Sequence, residues 1–217
     1  MHTVKTTVYE FKELSDKAKA RAREWWLRGF EFDTEPTIED AATVADLFGL
    51  DVRQTRKLRA DGSHAYVPTV YWSGFYNQGD GASFVGKYQY KKDALKLVKA
   101  YAPTDETLHR IVKRLQDVQN MYFYQLGAVV TQQGRYVHSG SMRVEVLLRD
   151  NYPDNMSASM HAAQEEIEEC MRDFADWIYR NLEREYEYQT SDEYVDEALD
   201  INGYVFTEDG ERAIEIA

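Results

Sequence analysis

A chain of 217 residues with 43% hydrophobic and 13% aromatic content can bury a core, which excludes intrinsic disorder over most of its length. Its net charge of −12 is uneven: from Asp154 onward 19 acids face four arginines and no lysine, while the first 153 residues hold 19 acids and 22 bases. A final third at net −15 excludes DNA binding through that segment, no apolar run reaches the ~20 residues of a membrane helix, and one cysteine excludes an internal disulfide framework.

The N-terminal "MHTVKTTVYEF" lacks the apolar centre of a leader peptide and predicts a strand over Thr3–Phe11. Ser15 caps a helix in which Ala18, Ala22, Trp25 and Trp26 recur at helical spacing, ending near Gly29. Thr37 and Asp40 fit a capping box for a second helix that Gly49 closes. "LDVRQTRKLRADGSHAYVPTVYWSGF" reads as strand, Asp61-Gly62 turn and strand, with Pro68 confined to an edge or a strand start.

A further strand is expected over Ala82–Tyr90, then a short helix stopped by Pro103. Thr104 caps the next helix, whose apolar face is Leu108, Ile111, Val112, Leu115 and Val118. Two strands follow around a turn at Gln132–Gly134. Ser157 or Ser159 opens the longest helix, with Ile167, Cys170, Met171, Phe174, Trp177, Ile178 and Leu182 on one stripe. Thr190 and Glu193 suggest one more capped turn, and "YVFTEDGERAIEI" a closing hairpin. Strands joined through tight turns favour an α+β fold, an antiparallel or mixed sheet with helices packed on it and a long acidic C-terminal helix. The reading is one domain over 1–217, without repeats or low-complexity linkers.

One stretch stands apart: "YWSGFYNQGDGASFVGKY", Tyr71–Tyr88. With Asn77–Gly81 as a hairpin loop, Tyr76 faces Ala82, Gly74 faces Phe84 and Trp72 faces Gly86, so aromatics cover the glycines and the motif is scaffold. The alternative is a nest of backbone N–H groups able to hold a phosphate or carboxylate. Ser73, Asn77 and Gln78 would add polar groups, Lys87 a positive charge, and Tyr76 a stacking face, while Asp80 would repel an anion. These six residues are the candidate binding set.

No catalytic constellation is predicted. The five histidines are scattered, so no metal site is expected, and no cofactor. Cys170 lies on the apolar stripe, where burial makes a poor thiolate. Glu165, Glu169, Asp173 and Asp176 share one helix face, either a solvated surface, a phosphate-mimicking stripe or a cation site. Bases cluster at Arg53, Arg56, Lys57 and Arg59 and again from Lys87 to Lys99, where nucleic acid, a nucleotide, the acidic helix or a homodimer partner could meet them.

"SGFYNQGDGASFVG" resembles the core of a family of small acidic phage and prophage proteins, as do "VYEFKELSDKAKARARE" and "LEREYEYQTSDEYVDEALDINGYVFTEDG" at the two ends. The insert Arg53–Thr69 departs from the shorter versions. The resemblance implies a phage accessory protein in a bacterial host cytoplasm; some members carry an antitoxin label. The expected function is therefore non-enzymatic binding of a host protein. The alternatives are a sponge for a nucleotide-like molecule using the 73–87 hairpin, an antitoxin-like inhibitor of a partner toxin, and, last, a hydrolase using Asp80 or the helix acids with a metal.

Overall fold

The computed structural model describes residues 7–59, 61–148 and 158–213. In chain order the elements are β1 (Tyr9–Glu10), α1 (Asp16–Arg28), α2 (Glu35–Leu47), β2 (Leu50–Val52), β3 (Gln54–Leu58), β4 (His64–Pro68), β5 (Val70–Trp72) and β6 (Ala82–Phe84). Then come β7 (Gly86–Gln89), α3 (Ala94–Tyr101), α4 (Glu106–Met121), β8 (Leu126–Gln132), β9 (Met142–Leu148), α5 (Ala158–Gln189), α6 (Asp192–Ile201) and β10 (Val205–Phe206). The fold is α+β with antiparallel pairing throughout and a 32-residue acidic helix, as expected. It divides into two compact units, Thr34–Glu183 and Met1–Asp33 with Arg184–Ala217.

The larger unit is built on a four-stranded sheet of order β2-β7-β8-β9. Alternation sets its faces: Leu50, Val52, Tyr88, Leu126, Ala128, Val130, Met142 and Val144 are buried, while Asp51, Lys87, Gln89, Arg143 and Glu145 are exposed. Helices cover the buried side because their apolar stripes match it. Every residue of the α5 stripe is buried, and Phe174 sits between Phe48 and Phe84 at 5.0 and 5.7 Å while stacking on Trp177. Asp105 joins two helices: one carboxylate oxygen accepts from Leu108 N and caps α4, the other from Trp177 Nε1 of α5 at 2.6 Å.

Beyond this sheet, β3 and β4 form a two-stranded ribbon in which every β3 residue is exposed. Its root is locked where Arg53 N donates to Val85 O, Thr69 N to Arg53 O, and the Thr55 and Thr69 hydroxyls meet at 2.6 Å. The smaller unit packs Phe11, Leu14, Ala18 and Ala22 against Val195, Leu199 and Phe206, with β1 paired to β10. Around that core Arg23 bonds Asp196 through two nitrogens and lies 2.9 Å from Asp192, and the Arg212 guanidinium stands 4.9 Å from the Trp25 ring.

Several boundaries differ from the sequence reading, each for a local reason. The first strand shrinks to Tyr9–Glu10 because Phe11 turns into a 3-10 helix to reach the core; Thr3–Thr6 lie outside the described residues. Helix α2 begins at Glu35 with Pro36 in its first turn, so Thr37 and Asp40 are already helical and form no capping box. Asp105 and Ser191, not Thr104 and Thr190, accept the capping bonds of α4 and α6. The strand over Ala82–Tyr90 breaks at Val85, and the β8–β9 connection runs from Gln133 to Ser141, well past Gly134. Helix α5 opens at Ala158, which places Ser159 inside it; Ser157 lies outside the described residues.

Candidate functional site

The register of the central hairpin is the largest correction. Trp72 pairs with Ala82, Tyr71 with Ser83 and Val70 with Phe84, a shift of four residues that leaves Ser73–Gly81 as the loop. No glycine is covered by a facing aromatic. Gly86 instead lies between Val52 and Val130, where an added Cβ would stand 2.6 Å from Asp51 O. Gly81 is small because His138 packs on it: a Cβ there would lie 2.8 Å from the histidine Cβ.

Inside the loop the nest exists, and it is filled. Asp80 Oδ2 accepts from Asn77 N at 2.8 Å and Tyr76 N at 3.1 Å, so the protein's own carboxylate takes the donors that an anion would use. Ser73 Oγ accepts from Gly81 N and donates to Val137 O, and Tyr179 OH donates to Gly74 O. Trp72 stacks on Phe75, which leans on Tyr179, whose phenol is pushed above its ordinary value by burial. Asn77, Gln78 and Tyr76 are exposed on the loop. Lys87 is not part of this hydrogen-bonded loop; it stands exposed on β7 between Asp51 and Val129.

The acidic face of α5 is likewise engaged. Arg114 of α4 reaches Glu166 at 2.5 Å, Asp173 at 2.7 Å and Glu169 at 2.8 Å, one guanidinium for three carboxylates. The hydrogen bond to Glu166 holds that guanidinium protonated well beyond its usual range. Among the described residues no group of three His, Cys, Asp or Glu could hold a metal. Cys170, beneath this cluster, is buried and its thiol is pushed up to about 12 by desolvation.

A surface that the sequence reading missed lies where α4 ends. Phe123 and Tyr124 have φ of 52° and 63°, the left-handed region that glycine normally takes after a helix. Tyr124 N donates to Gln119 O and Phe123 N to Asn120 O, the paired bonds of a Schellman helix stop with phenylalanine in the glycine position. Tyr124 is held by Tyr90 at 4.4 Å and by its hydroxyl on Asn120 Oδ1. Buried Gln119 fixes the following strand through Leu126 N and O. The outcome is an aromatic that points outward: Phe123 is 82% exposed and Met121 65%.

Beside this ledge runs a groove of ≈ 560 Å³ between α4 and α5. Val118, Met121, Tyr122, Ala162 and Ala163 form its apolar floor, and Arg114, Asp117 and Glu166 its charged rim. The sequence holds one signal for the ledge, the run "MYFY" directly after an amphipathic helix.

No curated protein matches the chain, and no solved structure does. Among the described residues no helix is long and apolar enough to cross a membrane. The model of the family described as Domain of unknown function (DUF8835) matches residues 34–192, beginning at the first residue of the larger unit. The match takes in all of that unit, with its sheet, its Asp80-filled loop and its aromatic ledge, and runs on to residue 192; the chain belongs to this family.

Proposed function

We propose that the protein is a non-enzymatic binding protein that docks a protein partner on the ledge and groove at the end of α4. The observation that carries the reading is Phe123. A left-handed phenylalanine costs about 1 kcal/mol or more relative to glycine, and burial of its ring returns almost nothing within the chain. Exposed aromatics next to an apolar groove are what protein interfaces use as anchors. Glu165, exposed on α5 next to the groove-lining Glu166 and outside the Arg114 cluster, adds negative charge to the flank, so the partner is an apolar, amphipathic segment with basic neighbours. In the phage setting that the resemblance implies, this partner is a host protein, or a toxin in the antitoxin-like version. The nucleotide-sponge reading is weakened, since Asp80 already occupies the loop donors.

The test is Phe123→Gly. Relief of the backbone strain should raise stability by about 1 kcal/mol while capture of the partner from a bacterial lysate is lost. A partner recovered equally by wild type and by this variant would sink the proposal, and so would a failure of the wild type to enrich any protein.

A further inference from the structure

The four-stranded sheet ends on one side at β2, three residues long, and on the other at β9, seven residues long. Among the described residues β9 is the longest strand with an unpaired edge. Natural edge strands are kept apart by shortness, a proline, a bulge or charges that repel. β9 has none of these: it holds no proline, its seven pairs with β8 run without a break, and its two charges, Arg143 and Glu145, are opposite in sign. β3 shows the usual protection, since its charged residues are the bases Arg56 and Lys57 and a second copy of it would meet like charge.

The ladder fixes which backbone groups face outward. Gln133 N donates to Ser141 O in the register that β8 and β9 share, so Arg143, Glu145 and Leu147 turn their N–H and C=O groups toward β8. Met142, Val144, Val146 and Leu148 turn theirs to the open edge. Side chains sort by the other alternation. Met142 and Val144 are buried and Val146 is half-buried on the side the helices cover, while Arg143, Glu145 and Leu147 stand exposed on the open face, Leu147 by 46%.

We infer that two copies of the chain associate through β9, pairing antiparallel about a two-fold axis at Val144 and joining their four-stranded sheets into one continuous sheet. The outward groups require an axis through a residue rather than between two, because Met142, Val144 and Val146 must meet one another. Charge then selects the residue. With the axis at Val144, Arg143 stands opposite the partner's Glu145 and Glu145 opposite the partner's Arg143, so the open face gains two cross-strand pairs of opposite charge. On the covered side Val144 meets the partner's Val144, and Met142 meets the partner's Val146. An axis one residue away sets Glu145 against Glu145 or Arg143 against Arg143. This complementarity of the strand with itself commits the edge to a second copy. The inference does not rest on the ledge at the end of α4, and either can fail alone.

The experiment is sedimentation velocity of the whole chain over a range of about 1 to 100 μM. Wild type should shift from the mass of one chain to that of two. Arg143→Glu and Glu145→Arg, both at exposed positions, should each weaken association at least about tenfold, with an unchanged thermal midpoint as the folding control. An equimolar mixture of the two variants should regain the dimer, because every facing pair is then opposite in charge again. Phe123→Gly should dimerise as wild type does. Four results would overturn the inference: a wild type monomeric throughout, which would leave the edge to a strand of another protein; single variants that dimerise as wild type does; a mixture that stays monomeric; or loss of the dimer in Phe123→Gly, which would put the interface at the ledge.

Discussion

Two charged regions of the larger unit, the acidic face of α5 and the basic β3–β4 ribbon, are both charge runs in the sequence and opposites in the fold. The acids of α5 stand above a fully buried stripe and three of them converge on Arg114. The ribbon has no such backing: its bases face solvent along a strand with every residue exposed. A charge run therefore says little until its counter-charges are located. Where they lie inside the chain, as at Arg114, the run is scaffold.

Substitutions can break or sharpen this contrast. Phe174→Ala, beneath the acidic face, should cost about 4 kcal/mol, because it empties a site packed by Phe48, Phe84 and Trp177; urea denaturation reads this directly. Arg114→Ala should cost about 2 kcal/mol, less at high salt, since it leaves three half-exposed carboxylates without a cation. An Arg114→Ala protein as stable as wild type would show that α5 tolerates its acids unaided, and the contrast with the ribbon would collapse.

Cys170 gives a pH readout of the same region. A thiol raised from 9.0 to about 12 stays protonated in the fold, so its stabilising contribution is complete below pH 9 and is lost as pH climbs toward 12. Alkylation of the native protein at pH 8 should be negligible and should become complete in urea. Tyr66→Ala in the ribbon is the smallest effect, within about 0.5 kcal/mol, as for an exposed side chain away from the core.

Helices were the most legible part of the fold, because Leu108–Val118 and Ile167–Leu182 repeat apolar residues at a period that only a helix satisfies. The hairpin register was not legible. Asp80 hydrogen-bonds Tyr76 and Asn77, and that local geometry demands a nine-residue loop which no count of aromatics against glycines reveals. The ledge was hidden for the opposite reason. A Schellman stop is read from glycine, and here phenylalanine occupies the position, so the usual signal is absent. Arg114 is one cation in an amphipathic helix, and only the packing of α4 on α5 discloses that it serves three acids. Ser73, Tyr76, Asn77, Gln78 and Asp80 share the loop between β5 and β6, whereas Lys87 belongs to the sheet.

Strand β1 pairs with β10, some 195 positions later, and the core of the smaller unit draws on both ends of the chain. On the ribosome Phe11, Leu14 and the α1 tryptophans must therefore wait for their partners until the chain has been made as far as Phe206. The contiguous segment 34–183 has every partner of its own sheet in hand much earlier. Synthesis imposes an order on the two units: the segment 34–183 can mature before β1 meets β10, and a chain stalled short of Phe206 would leave the smaller core open.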